Sequence, residues 1–200
     1  MWNKREQKAI SRLRTPDLVQ EFLDNLSYRC EDGHLSARAV LRDKRAHCFD
    51  GSLFSAVCLL GSHYEPYLID LCAHDDDDHM LCAFRWRGLW GAVAKSNFPG
   101  LRFREPIFRT PRELVLSYFE FYFNMDRKKS LRSYSKPFRL PPVSRLDWQC
   151  DDRAGDVVVE MISCSPHYDI VTGRNARSLR GVDGRLFKSQ LVGVNLKGVY

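Results

Sequence analysis

The chain has 200 residues, 44% of them hydrophobic, and a net charge of +6, enough apolar content for one domain with a real core. No apolar run approaches the length of a membrane span, and Met1 to Lys8 lacks the apolar stretch of a signal peptide, so the expectation is a cytoplasmic protein with no membrane partner. The seven cysteines include no CxxC pair and fit a reducing compartment; Cys30, Cys58, Cys72, Cys82, Cys150 and Cys164 are expected to be small buried hydrophobes.

Taken in order, the chain opens with a basic lead to Arg14. A helix follows, with Thr15 as N-cap, Pro16 in the first turn and Asp17 complementing the dipole, ending near Ser27-Tyr28. Between Arg29 and Lys44, Asp32-Gly33 marks a turn and Ser36 to Leu41 a short helix. Leu53, Phe54, Ala56, Val57 and Leu60 then recur at helical spacing, up to a stop at Gly61-Ser62. Tyr67 to Ala73, His79 to Arg85 and Leu89 to Lys95 read as strands, separated by the polar run Asp75 to Asp78 and the tight turn Arg87-Gly88. Thr110-Pro111-Arg112-Glu113 has the pattern of a capping box ahead of a nearly all-apolar helix that runs on to Phe123.

Beyond Asn124 the character changes. Arg127 to Ser135 is polar and basic, and Pro137, Pro141 and Pro142 punctuate a loop. Asp156 to Ile162 and Leu186 to Val194 read as strands, and Asp183-Gly184 as a hairpin-type turn. The expected organisation is a core over residues 1–142 and a β-rich extension over 143–200 within the same domain. Between Leu101 and Arg139 ten basic residues face four acidic ones. Such a stretch can steer an acidic partner, although a solvated face is the simpler reading. With no zinc finger or RNP-type strand, a nucleic-acid partner is not expected.

Chemistry centres on Cys48, which follows the basic, turn-like Lys44 to His47 and stands at the start of a helix. Unpaired N–H groups and the positive end of the helix dipole stabilise a thiolate there, and the same groups can hold a developing oxyanion. His79, opening the second strand, is the candidate base. His47 diverges from its neighbour by about 100° and is expected to line the cleft or cap the loop. Asp50 is expected to complement the first turn of the helix, and His34, His63 and His167 have no assigned partner. Asp75 to Asp78, between His74 and His79, is read as a solvated turn whose negative field raises the basicity of His79, not as a metal site.

The order of cysteine on a helix start, histidine on the second strand and a third group on the next resembles the transglutaminase-like superfamily, in its bacterial-type form, with a papain-like cysteine protease fold. The likeness covers roughly residues 15 to 125 and includes the helix Leu18 to Leu26 followed by Ser27-Tyr28. It implies an α+β fold, with N-terminal helices packed on an antiparallel sheet, and a Cys-His-Asp triad in which Cys48 is nucleophile and His79 base. Trp90 is present, but Ala94 stands where the family's acid is expected. Asn97 is the first candidate for the orienting group, Ser96 the second, with Asp70 and Asp78 also in play. The resemblance implies attack on an amide, peptide, ester or thioester carbonyl and transfer of the acyl group to water or an amine, with no cofactor. The alternative is a catalytically silent fold that binds a peptide or acidic ligand.

Overall fold

The computed structural model describes residues 2–198. Its basic lead is ordered into helix α1 (Lys4–Ile10), because the Asn3 side chain accepts from the N–H groups of Arg5 and Glu6 while Glu6 reaches back to Asn3. Helix α2 (Pro16–Asp24) begins as its sequence expects, except that the Thr15 hydroxyl is buried and makes no capping bond. Its buried stripe of Val19 and Leu23 faces the core. Strand β1 (Ser27–Tyr28) follows. Helix α3 (Ala37–Asp43) is capped by Ser36 and ends at Lys44, whose φ of 55° breaks the helix. Strand β2 (Arg45–Ala46) pairs parallel with β1.

Helix α4 (Cys48–Leu59) is the central element. Every residue from Phe49 to Leu59 is buried, as expected for a helix apolar on nearly all sides. One side lies on the sheet and the other under α2 and α3. Ser52 and Ser55 satisfy their hydroxyls on the Met80 and Gly51 carbonyls, so neither leaves a buried polar atom without a partner.

Strands β3 (Glu65–Ala73), β4 (His79–Trp86) and β5 (Leu89–Val93) form a meander, and β6 (Arg104–Phe108) adds the outer strand. Arg87 and Gly88 both take positive φ, 50° and 83°, in the two-residue turn between β4 and β5, the geometry that suits the twist of a hairpin. After helix α5 (Pro111–Leu116) come β7 (Leu131–Ser135), helix α6 (Ala154–Ser163), β8 (His167–Asp169), and helices α7 (Gly173–Ala176) and α8 (Gly184–Gln190). The six long-sheet strands run β6-β5-β4-β3-β7-β8, each pair antiparallel. The result is an α+β fold. Strand β4 is buried on both faces: Met80, Cys82 and Phe84 pack against α4, while Leu81 and Ala83 face α5, Tyr118 and Tyr122. No helix among the described residues is long and apolar enough to cross a membrane.

Several expectations are corrected. Among the described residues of the stretch 143–200 the structure is not β-rich; there are three helices, the short strand β8 and a 3₁₀ turn at Leu196–Gly198. Asp156 to Ile162 lies within α6, where Ala154, Val158 and Ile162 recur every four residues on the buried side, so helical periodicity outweighs a β-branched run. These side chains join the same core cluster as α4. Asp183 caps α8, accepting from the N–H groups of Arg185 and Leu186. The Asp-Gly pair therefore starts a helix where a hairpin was expected, and Leu186 to Gln190 is helical. The stretch Arg127 to Ser135, read as polar and basic, contains β7, its Leu131 and Tyr134 buried.

Helix α5 stops at Leu116 and is followed by a 3₁₀ turn at Phe119–Phe121. There the Ser117 hydroxyl bonds back to the Leu114 carbonyl, competing with the helical ladder. Thr110 caps α5 by accepting from Glu113 N–H, but Glu113 returns to the N–H of Arg109, not of Thr110. Among the cysteines, Cys58 and Cys82 are buried, Cys30, Cys72 and Cys150 half-buried, and Cys164 exposed.

Gly51 is where α4 comes closest to the residues after β5: a Cβ there would lie 2.6 Å from Lys95 Cβ. Gly51→Ala is expected to destabilise the fold by about 1–3 kcal/mol through overpacking, more than offsetting the roughly 1 kcal/mol gain in helix propensity. Urea unfolding checks this; a more stable variant would show that the contact relaxes freely.

Candidate functional site

The helix start carrying Cys48 is built by its neighbours. His47 is the N-cap: its Nδ1 accepts from Phe49 N–H at 3.1 Å, and Asp50 accepts from His47 N–H at 3.1 Å. Because Nδ1 accepts, the proton sits on Nε2, which donates to the Gly33 carbonyl at 3.1 Å. Burial holds this imidazole below its ordinary pKa. Both ring nitrogens of His47 are thus committed to structure. Asp50 is fully buried and also accepts from Arg29 Nε at 2.9 Å and Leu35 N–H at 2.7 Å. Arg29 spends its other N–H groups on the carbonyls of Glu31, Asp32 and Gly33. Asp50 therefore ties together β1, the loop after it and the start of α4, a larger role than helix-dipole complement.

His79 opens β4, opposite Leu71 of β3. It is buried, on the same strand face as Leu81, with its ring 6.5 Å from that of Tyr122. Its Nε2 lies 2.9 Å from the Leu101 carbonyl. A carbonyl only accepts, so Nε2 carries the proton and Nδ1 keeps its lone pair. The turn presenting that carbonyl is clamped by Arg104, which lies 3.9 Å from the centre of the Tyr118 ring and donates to the Gly100 and Phe103 carbonyls and to Ser117. Tyr118 in turn donates to the Arg102 carbonyl.

Cys48 and His79 line one cavity of about 50 Å³, together with Tyr28, Ser96, Tyr122 and Gln190. Cys48 is half-buried. No direct hydrogen bond joins its sulfur to the His79 ring among the described residues; the sulfur instead meets the backbone N–H groups of Met80 and Phe49. Burial pushes the Cys48 thiol up to about 11, against the lowering effect of those N–H groups. Burial likewise takes His79 down to about 4, opposed by its bond to Leu101 and assisted by the positive charge of Arg104. The pair is therefore neutral at pH 7. The field of the aspartate turn does not raise His79 basicity as expected, because loss of hydration dominates.

The remaining candidates are accounted for by other contacts. Asn97 donates to the Asn195 carbonyl at 3.0 Å and accepts from Asn195 N–H at 2.9 Å. Ser96 lines the cavity and accepts from Phe98 N–H. Asp70, its carboxyl raised to about 6 chiefly by burial, accepts from the Cys72 thiol. Asp78 accepts from Ala73 N–H, and Asp76 from the Ser130 hydroxyl. The orienting place first expected for Asn97 is taken by a backbone carbonyl. Sequence inspection has no means of finding that group, since every residue carries one. Arg104, counted with the basic face, was also missed; only its position beside Pro99-Gly100 hints at a clamp on a turn.

Among the described residues, two groups bring three possible metal-ligand atoms within 4.8 Å of one another: His34, His47 and Asp50, and Asp70, Cys72 and His167. In the first, Asp50 and both His47 nitrogens are already engaged beside the Arg29 cation. In the second, the thiol already donates to Asp70.

With the thiol at about 11, iodoacetamide alkylation of Cys48 is expected to climb steadily with pH through the alkaline range, since thiolate is the reactive form. A rate plateau below about pH 8 would instead reveal a thiolate–imidazolium ion pair. Peptide-resolved mass spectrometry of alkylation time courses distinguishes the two.

A scan against models of protein families matched none, and a search of curated protein sequences found no match.

Proposed function

We propose that this chain is a cysteine acyl-transfer enzyme with the papain-like, transglutaminase-type arrangement of a helix start set against an antiparallel sheet. The observation that supports this most is that Cys48, first residue of α4, and His79, first residue of β4, open into the same cavity with His79 Nδ1 free of its proton. In this reading Nδ1 takes the thiol proton as the sulfur attacks an amide, peptide, ester or acyl-thioester carbonyl. The Sγ–C bond forms, and the leaving group departs with the proton that His79 returns. The acyl-enzyme is then resolved by water or by an amine. A neutral resting pair suits general-base attack, in which thiolate is made only as the bond forms. The seven thiols, none in a disulfide, fit a cytoplasmic setting.

A second reading, a silent fold binding a peptide or acidic ligand, draws on the absence of a carboxylate at His79 and on the raised thiol. The two separate on acylation. With p-nitrophenyl acetate as acyl donor, the first reading expects an acetyl group on Cys48 formed faster than on any other thiol, abolished in Cys48→Ala. The rate should fall about 10²–10⁴-fold in His79→Ala, the range of a lost general base. Faster release on adding glycinamide would identify an amine acceptor. Acetyl spread evenly over the thiols would leave the binding reading standing.

A further inference from the structure

Tyr28 reaches the same cavity from β1. The pairing of β1 with β2 sets Tyr28 opposite Ala46, two residues before Cys48, and bonds from Ser27 N–H to the Lys44 carbonyl and from Arg29 N–H to the Ala46 carbonyl hold it there. Two tyrosines line the cavity, and Tyr122 has spent its one hydroxyl proton on the Asp77 carbonyl at 2.6 Å, with the Leu71 carbonyl at 3.3 Å. The Tyr28 hydroxyl has no hydrogen-bond partner among the described residues, although the side chain is half-buried and lines the cavity beside Cys48.

We infer that Tyr28 is the side-chain donor to the oxyanion formed when Cys48 attacks a carbonyl, an assignment that rests on the acyl-transfer reading above. The backbone N–H groups of Met80 and Phe49 meet the sulfur of the resting thiol, and the Tyr28 hydroxyl is a further donor in the same cavity, available to the oxygen while those groups hold the nucleophile. Burial and the proximity of Cys48 keep the phenol well above its ordinary pKa, so it remains a donor at any pH at which the enzyme works. In the step proposed, the Sγ–C bond forms, the carbonyl π pair moves onto oxygen and the Tyr28 O–H donates to it without transferring its proton. Collapse restores the carbonyl, breaks the bond to the leaving group (the oxygen of an ester, the nitrogen of an amide or the sulfur of a thioester) and lets it depart with the proton that His79 returns. The same hydroxyl is idle when sulfur displaces iodide from iodoacetamide, because that reaction creates no oxyanion.

That difference supplies the test. In Tyr28→Phe, which keeps the ring and its packing, acetylation of Cys48 by p-nitrophenyl acetate should slow by about 10²-fold, the lower end for loss of one oxyanion donor. Alkylation of Cys48 by iodoacetamide at the same pH should stay within about twofold of wild type, because the thiolate supply is unaltered. Unchanged acetylation in the variant overturns the assignment, as does a parallel fall of both reactions, which would mark Tyr28 as a positioning residue. If the wild-type protein fails to acetylate selectively at Cys48, the acyl-transfer reading fails and the assignment with it. Selective acetylation in the wild type with no effect of the substitution removes Tyr28 alone.

Discussion

Asp50 accepts from Arg29 Nε, from Leu35 N–H and from His47 N–H while wholly shielded from solvent. A carboxylate in that position is tolerable only if its lone pairs are filled and its charge is met, and removing one partner of such a pair costs about 3–5 kcal/mol. Here the partner is largely satisfied too, since three of the other four Arg29 N–H groups are met by three successive carbonyls of the 31–33 turn. The arrangement links elements that local propensity would leave independent: a two-residue strand carrying Tyr28, a glycine-bearing loop, and the first turn of the helix that presents Cys48. Hydrophobic packing fixes where α4 lies on the sheet, but the carboxylate fixes how its N-terminus meets the strand beside it.

The second constraint is the Leu101 carbonyl on His79 Nε2. It shares with a carboxylate the ability to fix the ring orientation and tautomer, because either group only accepts. It lacks the charge. A full negative charge at about 4 Å stabilises an imidazolium by about 4 kcal/mol at an effective dielectric near 20, and a carbonyl dipole does much less. With Arg104 nearby adding an unfavourable positive charge, the site resists holding a protonated His79. In the acyl-transfer reading, the proton therefore moves only as the carbon–sulfur bond forms, and stabilisation of the oxyanion carries more of the barrier.

Much of residues 15–95 was legible in sequence because its signals are local. The helix starts near Pro16 and Ser36, the Arg87-Gly88 turn and strand-length apolar runs lie within a few positions of what they specify. The two-residue strands β1 and β2 and the outer strand β6 are too short to carry such a signal and were not expected. The C-terminal third was misread because its signals are ambiguous at short range. The Val157-Val158-Val159 run has strand composition, yet it forms a helix because Ala154, Val158 and Ile162 find the α4 core, a tertiary preference that outweighs intrinsic propensity. Asp-Gly serves equally as a hairpin turn and as a helix start, and only the chain beyond it decides. Strand β7 shows the converse, in that its polar residues conceal two buried apolar side chains, Leu131 and Tyr134, beside the buried Ser135. For the site, Cys48 and His79 carry recognisable chemistry, whereas the group holding His79 belongs to the main chain.

The C-terminal segment also explains why the cavity is small. Gln190, only 6% exposed, accepts from Gly100 N–H at 2.7 Å, in the turn that presents the Leu101 carbonyl, and Asn195 pairs reciprocally with Asn97. A Cβ on Gly100 would fall 2.4 Å from Gln190 Oε1, so the absence of a side chain there lets α8 close over the site. Phe187 adds to the contact, 6.0 Å from the Phe123 ring and with Arg127 over its face. The cavity, about 50 Å³ and partly open to solvent, has room for only a few waters, given that one water needs roughly 10–15 Å³ of such space. Gln190 completes one wall of it and is pinned there by Gly100, so in the acyl-transfer reading the position of that side chain bears on the size of the acyl group that fits beside Cys48.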